Sequence, residues 1–264
     1  MVIGRKVLFP ILLCCSCFGP FDPYNPAPDR NDDPENPDQP SGGPSTDLIA
    51  YYTCNDSEGT QLTDSVGSYH GWVTGCQWVE GGVEGRALSL DGMGDYVSIA
   101  TSDSAFDFGE GPFTISLWVK PRIDKDYTDS SRYDIISKGV VEEKGYTLSI
   151  YRQRYFSAFI GPIEKGSVDS TFSASEERWF HCVMLRRGSG SSMDVELYVD
   201  GQIIQSYSNS VNLTTSNLKL LIGCDSQKRQ ENFYSGLIDE IKIFNTAWSS
   251  NEVNGEFRRF SPNE

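Results

Sequence analysis

From Leu48 onward the chain is a succession of short runs in which apolar and polar residues alternate, each closed by turn residues. A period of two puts every second side chain on one face, so such runs form antiparallel strands with one buried face. In the clearest run, Phe113-Thr114-Ile115-Ser116-Leu117-Trp118-Val119, the residues Ile115, Leu117 and Val119 share that face. Met193 to Val199 is another; it closes on Asp200-Gly201 and is answered by Gln202-Ile203-Ile204. Asp-Gly between two apolar runs is a strong hairpin signal. Further strands are expected at Leu48 to Thr53, Gly71 to Val79, Arg86 to Leu90, Tyr96 to Ala100, Asp134 to Ser137, Tyr146 to Tyr151, Phe156 to Ile160, Trp179 to Arg186, Leu218 to Ile222 and Leu237 to Phe244. That number fills two packed sheets. A last helical turn or two is expected from Ser249, where Ser249-Ser250-Asn251-Glu252 has the spacing of a capping box. The fold class is therefore an all-β, two-sheet antiparallel sandwich with a short C-terminal helical turn.

The segment before Leu48 has another character. Arg5 and Lys6, the apolar stretch Val7 to Leu13 and the cluster Cys14-Cys15-Ser16-Cys17 make a secretory leader over 1–17, too short to span a bilayer. A small residue directly before a cysteine resembles the cleavage box of bacterial lipoproteins. This points to acylation of Cys17, with Cys15 as the second choice and an ordinary cleaved leader as the alternative. Residues 18–46, with the run Asp29 to Asp38, are too polar and proline-rich to bury a core and read as a tether. Acidic residues soon after an acylated cysteine also resemble a surface-export signal, which implies a cell-envelope protein of the outer membrane facing outward. Residues 47–264 form one domain.

The net charge is −15, and removing Arg5 and Lys6 with the leader deepens it to −17. Such a chain repels nucleic acid and anionic membranes, so the expected membrane link is the lipid anchor alone. Of seven cysteines, three lie in the leader, leaving Cys54, Cys76, Cys182 and Cys224. An exported chain permits disulfides; of the three connectivities, Cys54 with Cys76 is preferred because both lie in adjacent N-terminal runs. With no C-x-x-C spacing among these four and only two histidines, His70 and His181, zinc is not expected.

Five phrases in order resemble the laminin G-like jelly rolls of the concanavalin A-like lectin/glucanase superfamily: Leu88 to Val97, Phe113 to Pro121, Trp179-Phe180-His181, Leu197 to Gly201, and Gly236 to Phe244. The resemblance implies a jelly-roll topology shared by lectins, glycan-binding modules and some glycosidases, so it does not by itself assign function. It also implies a structural calcium ion near the last strand, with oxygens from Asp239, from Asn55 or Asp56, and from the carbonyl of Gly92. By period two Asp239 shares a face with Ile241 and Ile243, where a bare carboxylate is costly. It needs a cation, or else donors from loop backbone or Arg86. The glucanases of the superfamily carry a Glu-x-Asp-x-Glu-like phrase that is missing here. Adjacent Asp239 and Glu240 point to opposite faces of a strand, and Glu196 is isolated.

His181 lacks the nucleophile phrase of a triad and is expected to be structural, while Trp118 and Trp179 are expected to pack. The expected binding surfaces are two insertions, Asp124 to Tyr133 and Asp225 to Tyr234, which offer Tyr127, Arg132, Tyr133, Arg229, Asn232 and Tyr234. Aromatic rings stack on the CH faces of sugars while Arg and Asn bond hydroxyls. Tyr151 to Tyr155 is a further basic-aromatic stretch. The primary expectation is a non-catalytic module that binds carbohydrate or an extracellular protein. The alternatives are an adhesive surface protein without glycan specificity and, third, a glycosidase or lyase.

Overall fold

The computed structural model describes residues 47–99, 104–122, 132–139, 144–151, 155–161, 174, 177–190, 192–214, 218–225 and 232–260. The expected leader with Cys17, the tether 18–46, Tyr127, Arg229 and residues 152–154 lie outside the described residues.

Fifteen strands precede one helix: β1 (Leu48–Tyr52), β2 (Gln61–Leu62), β3 (Gly71–Thr74), β4 (Gln77–Glu80), β5 (Arg86–Asp91), β6 (Tyr96–Ile99), β7 (Phe113–Pro121), β8 (Arg132–Lys138), β9 (Tyr146–Tyr151), β10 (Tyr155–Ile160), β11 (Phe180–Ser189), β12 (Ser192–Val199), β13 (Gln202–Asn209), β14 (Leu220–Ile222), β15 (Ser235–Phe244) and α1 (Ser250–Phe260). An eight-stranded sheet runs β13-β12-β11-β7-β15-β5-β4, with β1 also on β15; a seven-stranded sheet runs β10-β9-β8-β14-β6-β3-β2. The inward alternates of both, such as Ile115, Leu117, Met184, Leu197, Ile241 and Ile243 facing Val97, Ile136, Leu148, Ile150, Phe156 and Ile222, form one apolar core.

Asp200 and Gly201 both adopt left-handed φ values, 50° and 76°, as the tight β12–β13 turn requires. The capping box forms: Ser249 N donates to Glu252 Oε2 at 2.6 Å and Glu252 N to Ser249 Oγ at 3.3 Å. The helix it starts runs eleven residues, longer than the sequence suggests. Its buried Val253 packs with Val183, Leu185, Tyr198, Phe244 and Trp248, so α1 covers the outer face of the eight-stranded sheet.

Two expectations need correction. Gly71 to Val79 is not one strand: Gly75, at φ 80°, turns the chain from β3 in one sheet to β4 in the other. For the same reason the Cys54–Cys76 disulfide is not formed. Cys54 follows β1, which pairs with β15, whereas Cys76 sits in the crossing turn. No disulfide joins any of Cys54, Cys76, Cys182 and Cys224.

Candidate binding face on the seven-stranded sheet

The outward alternates of the seven-stranded sheet are largely polar. Across its β8–β10 half, Asp134 is the register partner of Ser149, and Ser149 that of Ser157. All three are buried, and the hydroxyls of Ser149 and Ser157 have no hydrogen-bond partner among the described residues. A bulge at Ile135 lets Asp134 face outward while Ile136 points into the core.

The two insertions meet at Asp134. Arg132 Nε lies 2.9 Å from Asp134 Oδ1, and its Nη2 donates to Asp134 Oδ2 at 3.1 Å. The same guanidinium reaches Asp225 Oδ2 at 3.9 Å, and Asn232 Nδ2 donates to that oxygen at 2.8 Å. A parallel bridge joins Asp134 to Phe233, which packs on Leu221, Cys224 and Tyr96. Burial pushes the Asp134 carboxyl up to about 6, held back by Arg132 and raised further by Asp225.

Of the residues expected to bind ligand, the structure therefore unites Arg132 and Asn232. Tyr133 and Tyr234 are buried, at 5 % and 1 % exposure, and present no ring face; the Tyr234 hydroxyl donates to Leu237 O at 3.2 Å. Sequence reasoning missed Asp134, Ser149 and Ser157. A carboxylate inside the apolar run Tyr133 to Ile136 was the available signal.

The expected calcium set does not converge. Asn55 Oδ1 accepts Arg86 N at 2.7 Å, and Asp56 accepts the Thr63 N–H at 3.0 Å and its hydroxyl at 2.6 Å. Gly92 lies past the far end of β5, about 20 Å from Arg86 by strand rise. Asp239 accepts N–H bonds from Val83 (2.8 Å), Glu84 (3.3 Å) and Glu240 (2.8 Å), the loop-backbone alternative. Among the described residues no group of three His, Cys, Asp or Glu could hold a metal. The physical reason is a bulge in β15: Asp239 pairs with Trp118 and Lys242 with Ser116, one residue too many, so Asp239 no longer shares a face with Ile241. Burial pushes the Asp239 carboxyl up to about 7, against the pull of its three backbone donors.

His181 is buried under α1, its Nε2 2.9 Å from Ser116 Oγ and its ring 5.1 Å from that of Trp118. Burial pushes its pKa down to about 3, leaving a neutral imidazole. Trp118 is buried in a cluster with this histidine and Phe257, whose rings lie 5.1 and 6.0 Å from its own.

A family model described as the concanavalin A-like lectin/glucanases superfamily matches residues 91–254. The chain belongs to that superfamily. No curated protein matches the sequence. Among solved structures, the superfamily sandwich seen here is similar to Trypanosoma rangeli sialidase in complex with 2,3-difluorosialic acid, at 17 % identity and TM-score 0.62, over 81 % of this chain and 33 % of that one. It is similar to domain 4 of AbnA, a GH43 extracellular arabinanase from Geobacillus stearothermophilus, in complex with arabinotriose, at 19 % identity and TM-score 0.58, over 79 % of this chain and 97 % of that one. It is also similar to the binding domain of botulinum neurotoxin DC in complex with rat synaptotagmin II, at 13 % identity and TM-score 0.56, over 81 % of this chain and 52 % of that one. The chain thus spans about a third of the sialidase and half of the toxin domain. Identities this low show the fold alone.

Proposed function

We propose that this superfamily member is a non-catalytic module that binds carbohydrate on the outer face of its seven-stranded sheet, held at the cell surface through Cys17 and the acidic tether. The observation that carries the reading is the meeting of Arg132 and Asn232, a hundred residues apart in sequence, at Asp225. It ties the foot of both insertions into one polar network of donors and acceptors. Hydroxyl-rich ligands are recognised by such convergent polar groups. Binding is favoured over turnover because Arg132 bridges both carboxylates, Asp134 and Asp225. The arabinotriose complex of the AbnA domain supports the ligand class.

The test is a glycan array probed with the full chain, followed by titration calorimetry on the hits. Binding that falls about tenfold in Asn232→Ala, with the melting midpoint retained, supports the reading. Retention of a protein partner with no glycan bound would replace it. The anchoring half is read by metabolic labelling with a fatty-acid analogue: label lost in Cys17→Ala supports it, and label absent from the parent chain rejects it.

A further inference from the structure

The other half of the same sheet face, β2, β3 and β6, carries a feature that neither insertion explains. Gly71 and Val73 of β3 point inward, so Trp72 and Thr74 point outward. Trp72 is 64 % exposed. It is the one exposed tryptophan of five: Trp118 and Trp248 are buried, and Trp78 and Trp179 are half-buried. An isolated surface apolar residue needs no explanation, but the neighbours of Trp72 make it more than that.

Its direct cross-strand partners are Gln61 on β2 and Ser98 on β6. Partners in register lie on the same face, about 5 Å away, so an amide and a hydroxyl flank the indole, with Thr74 two residues along. Among the described residues none of these three side chains has a hydrogen-bond partner. The register row through Trp72 continues over Leu221, Ser137 and Thr147 to Phe159, all four buried, so its open part is Gln61, Trp72 and Ser98. In a chain of net charge −15 the open surface around the indole, Gln61, Ser98 and Thr74, carries no charge.

A flat indole presented outward, ringed by free hydroxyl and amide groups, matches one ligand chemistry: a pyranose ring, apolar on its CH face and hydroxylated at its rim. We infer that Trp72 is the stacking floor of a subsite for a neutral sugar ring, with Gln61, Ser98 and Thr74 bonding the ring's hydroxyls. The inference rests on the reading of this face as a carbohydrate surface and deepens it. From β3 to β8 there are three inter-strand steps, about 14 Å, and Arg132 lies about 13 Å along β8 from Ser137, the register position of Trp72, so the two groups are about 20 Å apart. A ligand that reaches both Trp72 and the Arg132–Asn232 group is therefore an oligosaccharide of several units.

The experiment titrates the full chain with a panel of neutral oligosaccharides and one sialylated oligosaccharide, by calorimetry and by tryptophan fluorescence. It uses the parent, Trp72→Ala, Trp72→Phe and Asn232→Ala, each checked by thermal melting. The expected result is neutral-sugar binding that perturbs the indole emission, falls about tenfold in Trp72→Ala and is partly restored in Trp72→Phe. Neutral-sugar binding that Asn232→Ala weakens and Trp72→Ala leaves unchanged overturns the subsite while the binding function stands. Binding of the sialylated oligosaccharide alone overturns the neutral class. If no carbohydrate binds, both fall. Because Trp72 is largely exposed, its substitution leaves the core untouched; Gln61→Ala, expected to weaken the same ligand, gives a second reading if Trp72→Ala melts early.

Discussion

Asp239 and Asn55 both serve the hairpin loop between β4 and β5. A Cβ on Gly82 would sit 2.5 Å from Asp239 Oδ2, and one on Gly85 2.4 Å from Asn55 Oδ1, so glycine at both positions lets the carboxylate and the amide close on the loop. Asp239→Ala leaves three N–H groups without this acceptor and is expected to cost about 1 to 3 kcal/mol in urea unfolding. Since the calcium oxygens do not converge, calcium and chelator are expected to give the same melting midpoint in the parent and in the variant. A midpoint that rises with calcium and loses that rise in Asp239→Ala would restore the ion. The raised Asp239 pKa sets a pH signature as well. The folded chain keeps this proton up to about 7, whereas the unfolded chain loses it near the usual aspartate value. Its contribution is therefore present at low pH and lost as pH rises through about 7. The stability of the parent relative to Asp239→Asn should fall across that window, by about 1.4 kcal/mol per pH unit at most. Asp134 has the same sign up to about 6, and buried His181 the opposite sign between about 3 and its ordinary value. Both are common to the two chains and cancel in the comparison. The sequence singled out Asp239 as a carboxylate in need of donors. The bulge does leave a mark, since the inward Ile238 and Ile241 are three residues apart, but period two counted back from Ile243 and Ile241 passes over it.

At the scale of elements, α1 covers the outer face of one sheet and leaves that of the other open. It lies across the eight-stranded sheet through Val253 and, with Phe257, shields Trp118. Its start depends on Ser249, whose hydroxyl and N–H pair reciprocally with Glu252. Ser249→Ala is expected to lower stability by about 1 kcal/mol, read as an earlier urea midpoint with unchanged slope. An unchanged midpoint would mean that Val253 packing alone holds the helix. The cap and the Asp200-Gly201 turn were legible because each is a matter of residues within one turn of the chain. The split of Gly71 to Val79 was not, because Gly75 reads as an ordinary strand glycine until the partners of β3 and β4 are known: Tyr96 opposite Thr74, and Ser89 opposite Gln77.

For the whole molecule, a charge of −15 and the uncharged open neighbours of Trp72, Gln61 and Ser98, act together. Stacking and neutral hydrogen bonds are not screened, so raising salt several-fold is expected to leave neutral-oligosaccharide affinity within about twofold. A steep loss of affinity with salt would place the ligand on charged groups such as Arg132 instead. The amino-acid sequence by itself determined the all-β sandwich, its hairpin and its helix cap, since alternation and turn chemistry are local properties of the chain. Trp72 and Trp118 mark where that stops. Each is the outward alternate of its strand, and period two treats them alike. Tertiary structure alone decided that one is buried and the other open, because a helix folded from residues 250–260 packs over the sheet of β7 and leaves Trp72 on β3 uncovered.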